Sequence, residues 1–129
     1  MGRARRTRDQ RGALSIEFLL IISALILVFL VMLQYAVRAH ARRVAEAAAE
    51  EALAAAAAYD GSTTAGEAAA DHYLKDVGSD LLNPKVDVDR TQSIAAVTVK
   101  GDVQPFIPFL SVHVSVHLEG PVEKFVEAP

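Results

Sequence analysis

The side chains that most often carry chemistry are sparse in this chain and widely spaced. Among its 129 residues there are four histidines and no cysteine. His113 and His117 share one face of a predicted strand, but four residues at ~3.3 Å each place them ~13 Å apart, too far for one metal ion. Asp87 and Asp89 also share a face, yet no loop with the spaced oxygen ligands of a calcium site surrounds them. We therefore predict no metal, no cofactor, no small-molecule substrate and no enzymatic activity.

One carboxylate has an unusual position. Glu17 directly precedes a run of apolar residues without a formal charge, from Phe18 to Val37. An ionised carboxylate in hydrocarbon is unfavourable, so such a residue usually has a partner or a function. The alternative interpretation is that Glu17 lies at the membrane interface and reaches water. Glu17 is the first candidate functional residue.

The apolar run predicts a transmembrane helix over residues 13–37. At ~1.5 Å rise per residue, ~20 residues cross a hydrocarbon core of ~30 Å. A buried core helix is the alternative, but the rest of the chain is too small to cover such a helix on all sides. The sequence therefore predicts a single-pass protein of the cytoplasmic membrane.

Charge is distributed unevenly along the chain. The net charge is -3, but residues 1–12 contribute +4, so the remaining residues contribute -7. The basic residues of this first segment are Arg3, Arg5, Arg6, Arg8 and Arg11. The positive-inside rule then places the N-terminus in the cytoplasm and the C-terminal domain outside. The acidic part has no basic patch interleaved with aromatic residues, so we predict no nucleic-acid binding.

A secretory signal peptide is another interpretation of the N-terminus. The apolar region of a signal peptide has ~7–15 residues, fewer than this run. The tripeptide Ala39-His40-Ala41 nevertheless fits a cleavage site with small residues at its two key positions. Cleavage after Ala41 would release a small secreted protein, which keeps this alternative open.

Beyond the membrane segment the sequence predicts an α+β fold. Residues 38–58 contain no glycine or proline and are rich in alanine, so the membrane helix is expected to continue as a helical stalk. Residues 59–129 are expected to form a small domain outside the cytoplasm. In it, Thr64 and Glu67 have the spacing of a capping box at the start of a second helix.

The second helix is predicted over about residues 65–82, ended by Pro84. Alternating apolar and polar residues then predict three strands, near residues 86–89, 95–100 and 110–118. We expect a small antiparallel sheet with the second helix packed on its apolar face.

A short segment before the last strand is unusually apolar. Phe106, Ile107 and Phe109 stand around two prolines. One interpretation is a lid that completes a small core. The other is a hydrophobic contact surface for a partner protein or for the membrane.

The residues around Glu17 read Arg-Gly-Ala-Leu-Ser-Ile-Glu-Phe from Arg11 to Phe18. This segment resembles the processing site of type IV prepilins. With its long apolar helix, its size and its β-rich tail, the chain resembles the TadE-like minor pilins, or pseudopilins, of tight-adherence (Flp-type) pilus systems. The resemblance implies a pilin-like fold. It also implies that a prepilin peptidase cuts between Gly12 and Ala13 and removes residues 1–12 as a basic leader peptide.

The resemblance also implies roles for the residues after the cut. Glu17 would become the fifth residue of the mature chain, followed by Phe18. The ammonium of Ala13 and the carboxylate of Glu17 on neighbouring subunits would pair and set an axial register. The implied partners are the membrane, the prepilin peptidase and other pilins, and the mature chain would reside in the cytoplasmic membrane or the extracellular pilus. A membrane-anchored binding module that is never cut is the alternative.

Overall fold

Backbone hydrogen bonds divide the described part of the chain into two helices followed by three strands. A computed structural model describes residues 3–78 and 80–124, with side chains from residue 11 onward. The helices are α1, Arg3–Ala57, and α2, Thr63–Val77; the strands are β1, Leu82–Arg90, β2, Ile94–Val103, and β3, Val112–Pro121. The predicted α+β class is confirmed. The side chains of four leader arginines, Arg3, Arg5, Arg6 and Arg8, lie outside the described residues.

Helix α1 runs over 55 residues because nothing in its sequence ends it. From Ala13 to Ala57 there is neither glycine nor proline, and most residues are good helix formers. At ~1.5 Å per residue the helix is ~82 Å long. It begins ten residues before the predicted start at Ala13, so Gly12 lies inside it. One glycine disfavours a helix by only ~1 kcal/mol, which does not end a helix of this length.

The N-terminal part of α1, residues 11–29, is bare, which means that the folded domain does not cover it. Every side chain from residue 11 to residue 29 is exposed. This stretch gives the chain a helix near its N-terminus that is long and apolar enough to cross a membrane, as the sequence predicts. The hydroxyl of Ser23 donates to the carbonyl oxygen of Leu19 at 2.7 Å, so this polar group is satisfied within the helix. A segment in hydrocarbon requires such internal pairing.

The C-terminal part of α1 forms the centre of the folded domain. Its buried positions are mostly alanine: Ala41, Val44, Ala45, Ala48, Ala49, Ala52 and Ala56. Because alanine is short, the backbone of α1 can approach the sheet closely, and Val97, Val99 and Val103 of β2 are fully buried in the same core. Residues 38–58, which the sequence predicts as a stalk, therefore lie inside the domain and supply one of its layers.

The three strands form one antiparallel sheet in the order β1-β2-β3. The register pairs Val88 with Val97 and Val99 with Val116, so valines line one face. Helix α1 contacts all three strands, and α2 contacts α1 and β1. The domain is thus a layer of two helices on one face of a sheet. The predicted packing of α2 on the sheet is present, but α1 contacts more of the sheet than α2 does.

Helix α2 differs from the prediction at both ends. Its N-cap is Ser62, whose hydroxyl accepts a hydrogen bond from the Ala65 N–H at 3.0 Å. The capping box expected from Thr64 is therefore not the one that forms. The helix ends at Val77, and Gly78 is its C-cap, several residues before the predicted end.

Pro84 lies in β1 and does not end α2. It falls at a shift of register between Leu82 and Lys85 on this edge strand. An edge strand tolerates proline at such an irregularity because the missing N–H leaves no ladder bond unmade. Strand β3 begins at Val112, two residues after the predicted start, because residues 104–111 form the loop between β2 and β3.

Candidate functional site

The candidate processing site lies on the bare part of α1. Around Gly12 there is open space, since a Cβ built there meets nothing within 4 Å. Ala13, Glu17 and Phe18 are exposed as well. A second protein can therefore approach this segment without displacing any part of the described domain.

Glu17 and Ala13 are one helical turn apart on the same face of α1, separated by ~6 Å along the axis. Within the side chains described, residues 11–78 and 80–124, Glu17 has no hydrogen-bond or ion-pair partner. Its carboxylate is therefore available to a cation at the same depth. Such a cation must come from outside these side chains or from a new chain end.

The loop between β2 and β3, residues 104–111, is held against α1 by one amide side chain. Gln34 is only 6% exposed. Its Oε1 accepts a hydrogen bond from the Phe106 N–H at 2.7 Å, and its Nε2 donates to the Gln104 carbonyl oxygen at 3.2 Å. Gln34 is not among the residues predicted from the sequence, although it is the sole amide side chain between Phe18 and Val37. That isolation is the signal that could have identified it.

The apolar side chains of the β2–β3 loop are largely turned to the outside. Phe106 is 39% exposed, Leu110 is 40% exposed, and Phe109 is fully exposed. Ile107 is half-buried. Phe109 therefore does not complete the core, as the lid interpretation requires. The loop therefore turns Phe106, Phe109 and Leu110 toward the outside of the domain.

Phe109 occupies a position in the loop that is unusual for its residue type. The Leu110 N–H donates to the Ile107 carbonyl oxygen at 3.3 Å, which closes a turn with Pro108 and Phe109 at its corner. Phe109 has φ 68, in the left-handed region. Proline followed by a left-handed residue is typical of a type II turn, whose third position favours glycine or asparagine. A bulky phenylalanine there is strained.

An open groove lies between the β2–β3 loop and α1. Its lining residues are Val31, Gln34, Tyr35, Arg38, Ile107, Leu110, Ser111, Val112 and His113. Val31 and Tyr35 are also exposed side chains of α1 itself. The apolar lining of the groove is therefore continuous with the bare part of the helix.

His113 and His117, which the sequence predicts on one face of a strand, both lie on the exposed face of the sheet. His113 Nδ1 lies 2.5 Å from Asp102 Oδ1, and His117 Nε2 lies 2.9 Å from Glu119 Oε1. The hydrogen bond with His113 lowers the pKa of the Asp102 carboxyl below its ordinary value. Each histidine is thus paired with its own carboxylate on an exposed surface.

Asp87 and Asp89 are exposed on β1, an edge strand. Charges on such a strand discourage pairing with another chain. Within residues 11–78 and 80–124, no three histidine or acidic side chains come together in a way that could hold a metal ion.

Two candidate regions therefore lie at opposite ends of the bare part of α1. Glu17 and Gln34 are 17 residues apart, which is ~26 Å along the helix. The processing segment lies at one end of this span, and the groove and the β2–β3 loop lie at the other. Comparison with protein-family models, curated proteins and solved structures gives no match for the chain.

Proposed function

We propose that the chain is a minor pilin or pseudopilin, a structural or assembly component of a Tad (Flp-type) pilus that a prepilin peptidase processes. The observation that carries the proposal is the order of features along one helix. Gly12 and Glu17 are exposed and accessible, a bare apolar segment follows at once, and the same helix continues without a break into the domain core. The role is one of anchoring and assembly and includes no catalytic step.

In this function the leader arginines keep Gly12 at the cytoplasmic face, and cleavage leaves an ammonium group on Ala13. An unpaired ammonium and an unpaired carboxylate are both unfavourable close to hydrocarbon. Pairing of Ala13 with Glu17 of a neighbouring subunit neutralises both and fixes how far one helix is shifted along the next. The exposed apolar side chains that follow Phe18 supply the surface on which the helices pack.

The division of α1 into two parts supports this assignment. One part is bare and apolar, and the other is buried beneath an antiparallel sheet. A subunit built in this way can pack its bare helix segment inside a filament or in the membrane while its domain remains outside. This layout is the one that the resemblance to pilins implies.

A membrane-anchored binding module that is never cut is the second candidate. Helix α1 continues from Arg3 through Gly12 without a break, which is the form an uncut chain would keep. In that case Glu17 has no ammonium partner at Ala13. Its replacement would then leave the function of the protein unchanged.

The intact mass and N-terminal sequence of the protein extracted from membranes of its native host test the proposal. A chain that begins at Ala13 supports processing, whereas one that begins at Met1 or Gly2 favours the uncut module. The Gly12→Leu variant should remain full length because a bulky residue would not fit a narrow protease subsite. Gly2→Leu, a glycine change within the same leader, is the matched control and should be processed normally. A Gly12→Leu chain that still begins at Ala13 would contradict the assignment of the protease class.

A further inference from the structure

We propose that the β2–β3 loop lies in the interfacial layer of the outer leaflet, where Phe109 and Leu110 contact lipid beside the end of the membrane span. The loop would thus be a second point of membrane contact, in addition to α1. This inference goes beyond the pilin assignment. It requires only that α1 spans a membrane, which both candidate functions share.

The depth of the loop along α1 supports this location. With Glu17 at the inner edge, a hydrocarbon core of ~30 Å ends ~20 residues later, near Val37. Val31, which lines the groove, lies ~21 Å from Glu17, and Gln34, which holds the loop, lies ~26 Å from it. The β2–β3 loop therefore lies beside the last helical turns of the membrane span. It does not lie beyond the end of the span.

The distribution of charged residues around the loop supports the same location. Residues 103–112 include no charged side chain. Asp102 and His113, which flank this stretch in the sequence, pair with each other on the sheet, and Arg38 of α1 lines the groove. Arg38 at this level suits the phosphate groups of lipids, and its stem can lie along the apolar groove. The uncharged surface of the loop and the uncharged surface of α1 therefore end at about the same level along the helix axis.

Phe109 itself has a conformation that favours contact with lipid. Its backbone is in a strained conformation, and its ring is fully exposed in the isolated chain. Strained backbone persists where the surroundings enforce it and is common at functional positions. Here Pro108 and the hydrogen bonds of Gln34 hold the turn in place, so the ring is kept outward. An apolar phase next to the loop is what would make this arrangement favourable.

Lipid fits this surface better than a protein partner does. The apolar face of the loop is continuous with the lipid-facing side of α1 through Val31 and Tyr35. A chain that is alone in the membrane already has lipid at this depth, without any need for a second subunit. Amphipathic segments with outward aromatic and aliphatic residues bind the interfacial layer in this way.

Single tryptophans can test the location because the chain contains none. The full-length chain is reconstituted in vesicles of phosphatidylethanolamine and phosphatidylglycerol, with or without lipids brominated on their acyl chains. We expect Phe109→Trp to show blue-shifted emission, to lose most of its intensity with brominated lipid, and to resist quenching by aqueous iodide. Ile94→Trp is the control, since Ile94 is half exposed at the opposite end of β2. It should be quenched by iodide and not by brominated lipid.

Two further variants keep the test decisive. Phe29→Trp reports insertion of α1 itself, because Phe29 is exposed in the middle of the span. If brominated lipid quenches Phe29→Trp while Phe109→Trp behaves like Ile94→Trp, the proposal is overturned and the span stands. Leu110→Trp is the reporter to use if Phe109→Trp fails to fold, and it too should be quenched by brominated lipid. Protection of the loop that appears only at high protein-to-lipid ratio, without bromine quenching, would assign the surface to a second copy and overturn the proposal.

Discussion

The side chain of Gln34 and the backbone of Phe106 are joined by a hydrogen bond of 2.7 Å between residues 72 positions apart in the chain. The same amide donates to the carbonyl oxygen of Gln104. One buried side chain therefore fixes the position of the β2–β3 loop against α1. It does so at the boundary between the bare apolar segment and the folded domain.

Replacing Gln34 with leucine should release the loop while nearly filling the same space. The change leaves the Phe106 N–H and the Gln104 carbonyl without their partner, so we expect the domain to lose ~1–3 kcal/mol of stability. Hydrogen exchange at the Phe106 amide, measured in detergent micelles, should become faster. Gln104→Leu is the matched control, because only the backbone of Gln104 takes part and its side chain is exposed. Equal exchange rates at Phe106 in the two variants would contradict this role for Gln34.

Gly66 permits the close approach of α2 to α1 and β1. A Cβ at this position would lie 3.0 Å from Ala52 O, Ala56 Cβ and Val88 Cγ1. Gly66→Val should therefore destabilise the domain by ~1–3 kcal/mol through overpacking, although valine is a better helix former than glycine. Ala68→Val, on the exposed side of α2, should cost only a few tenths of a kcal/mol. Chemical unfolding followed by circular dichroism compares the two, and a Gly66→Val domain as stable as Ala68→Val would show that α2 moves aside.

Asp102 should titrate below its ordinary pKa of 3.8 because of its hydrogen bond with His113. A depressed folded-state pKa means that this carboxylate stabilises the fold above the unfolded-state pKa, and that the contribution is lost as the pH falls through the folded-state pKa. NMR titration of the Asp102 carboxyl measures the value directly. His113→Phe should raise the pKa of Asp102, whereas His117→Phe, which removes the partner of Glu119, should leave it unchanged. A wild-type pKa at or above 3.8 would refute the assignment.

Glu17→Gln should separate insertion from assembly. The amide keeps the shape of the side chain and removes the charge, so membrane insertion should be as efficient as in the wild type. Pairing with the Ala13 ammonium would be lost, and under the proposed function the amount of assembled pilus should fall sharply. Carbonate extraction measures insertion, and electron microscopy of sheared filaments measures assembly. Glu50→Gln changes an exposed glutamate of α1 beyond the span and serves as control. Normal piliation with Glu17→Gln would contradict the proposal that Glu17 sets the axial register.

Local patterns were enough to predict the main elements. The apolar run and the lack of helix breakers predicted α1, and the alternation around Val97 and Val99 predicted β2. That alternation is strong because one face of the sheet is buried and the other meets solvent. Gly12 and Glu17 could be proposed as candidates in the same way, since their position relative to the apolar run is a local property of the sequence.

Relationships between distant positions could not be predicted. An alanine-rich helix has the same composition whether it is exposed or packed, so the burial of Ala45 and Ala52 needed the fold itself. Three successive hydroxyl residues, Ser62, Thr63 and Thr64, can each cap a helix, and only the path of the chain selects Ser62. The contact between Gln34 and the β2–β3 loop depends on how far β2 carries the chain back along α1.

Helix α1 has neither glycine nor proline from Ala13 to Ala57, so this range contains no residue that typically kinks or breaks a helix. The folded domain packs against the helix along Ala41–Ala56. The domain therefore cannot tilt without tilting the whole of α1. With Gln34 as the pivot, a tilt of ~10° would swing Glu17, ~26 Å away, by ~4.5 Å. A mechanical load on the folded domain would therefore reach the N-terminal end of α1 as a displacement, with no rearrangement inside the chain.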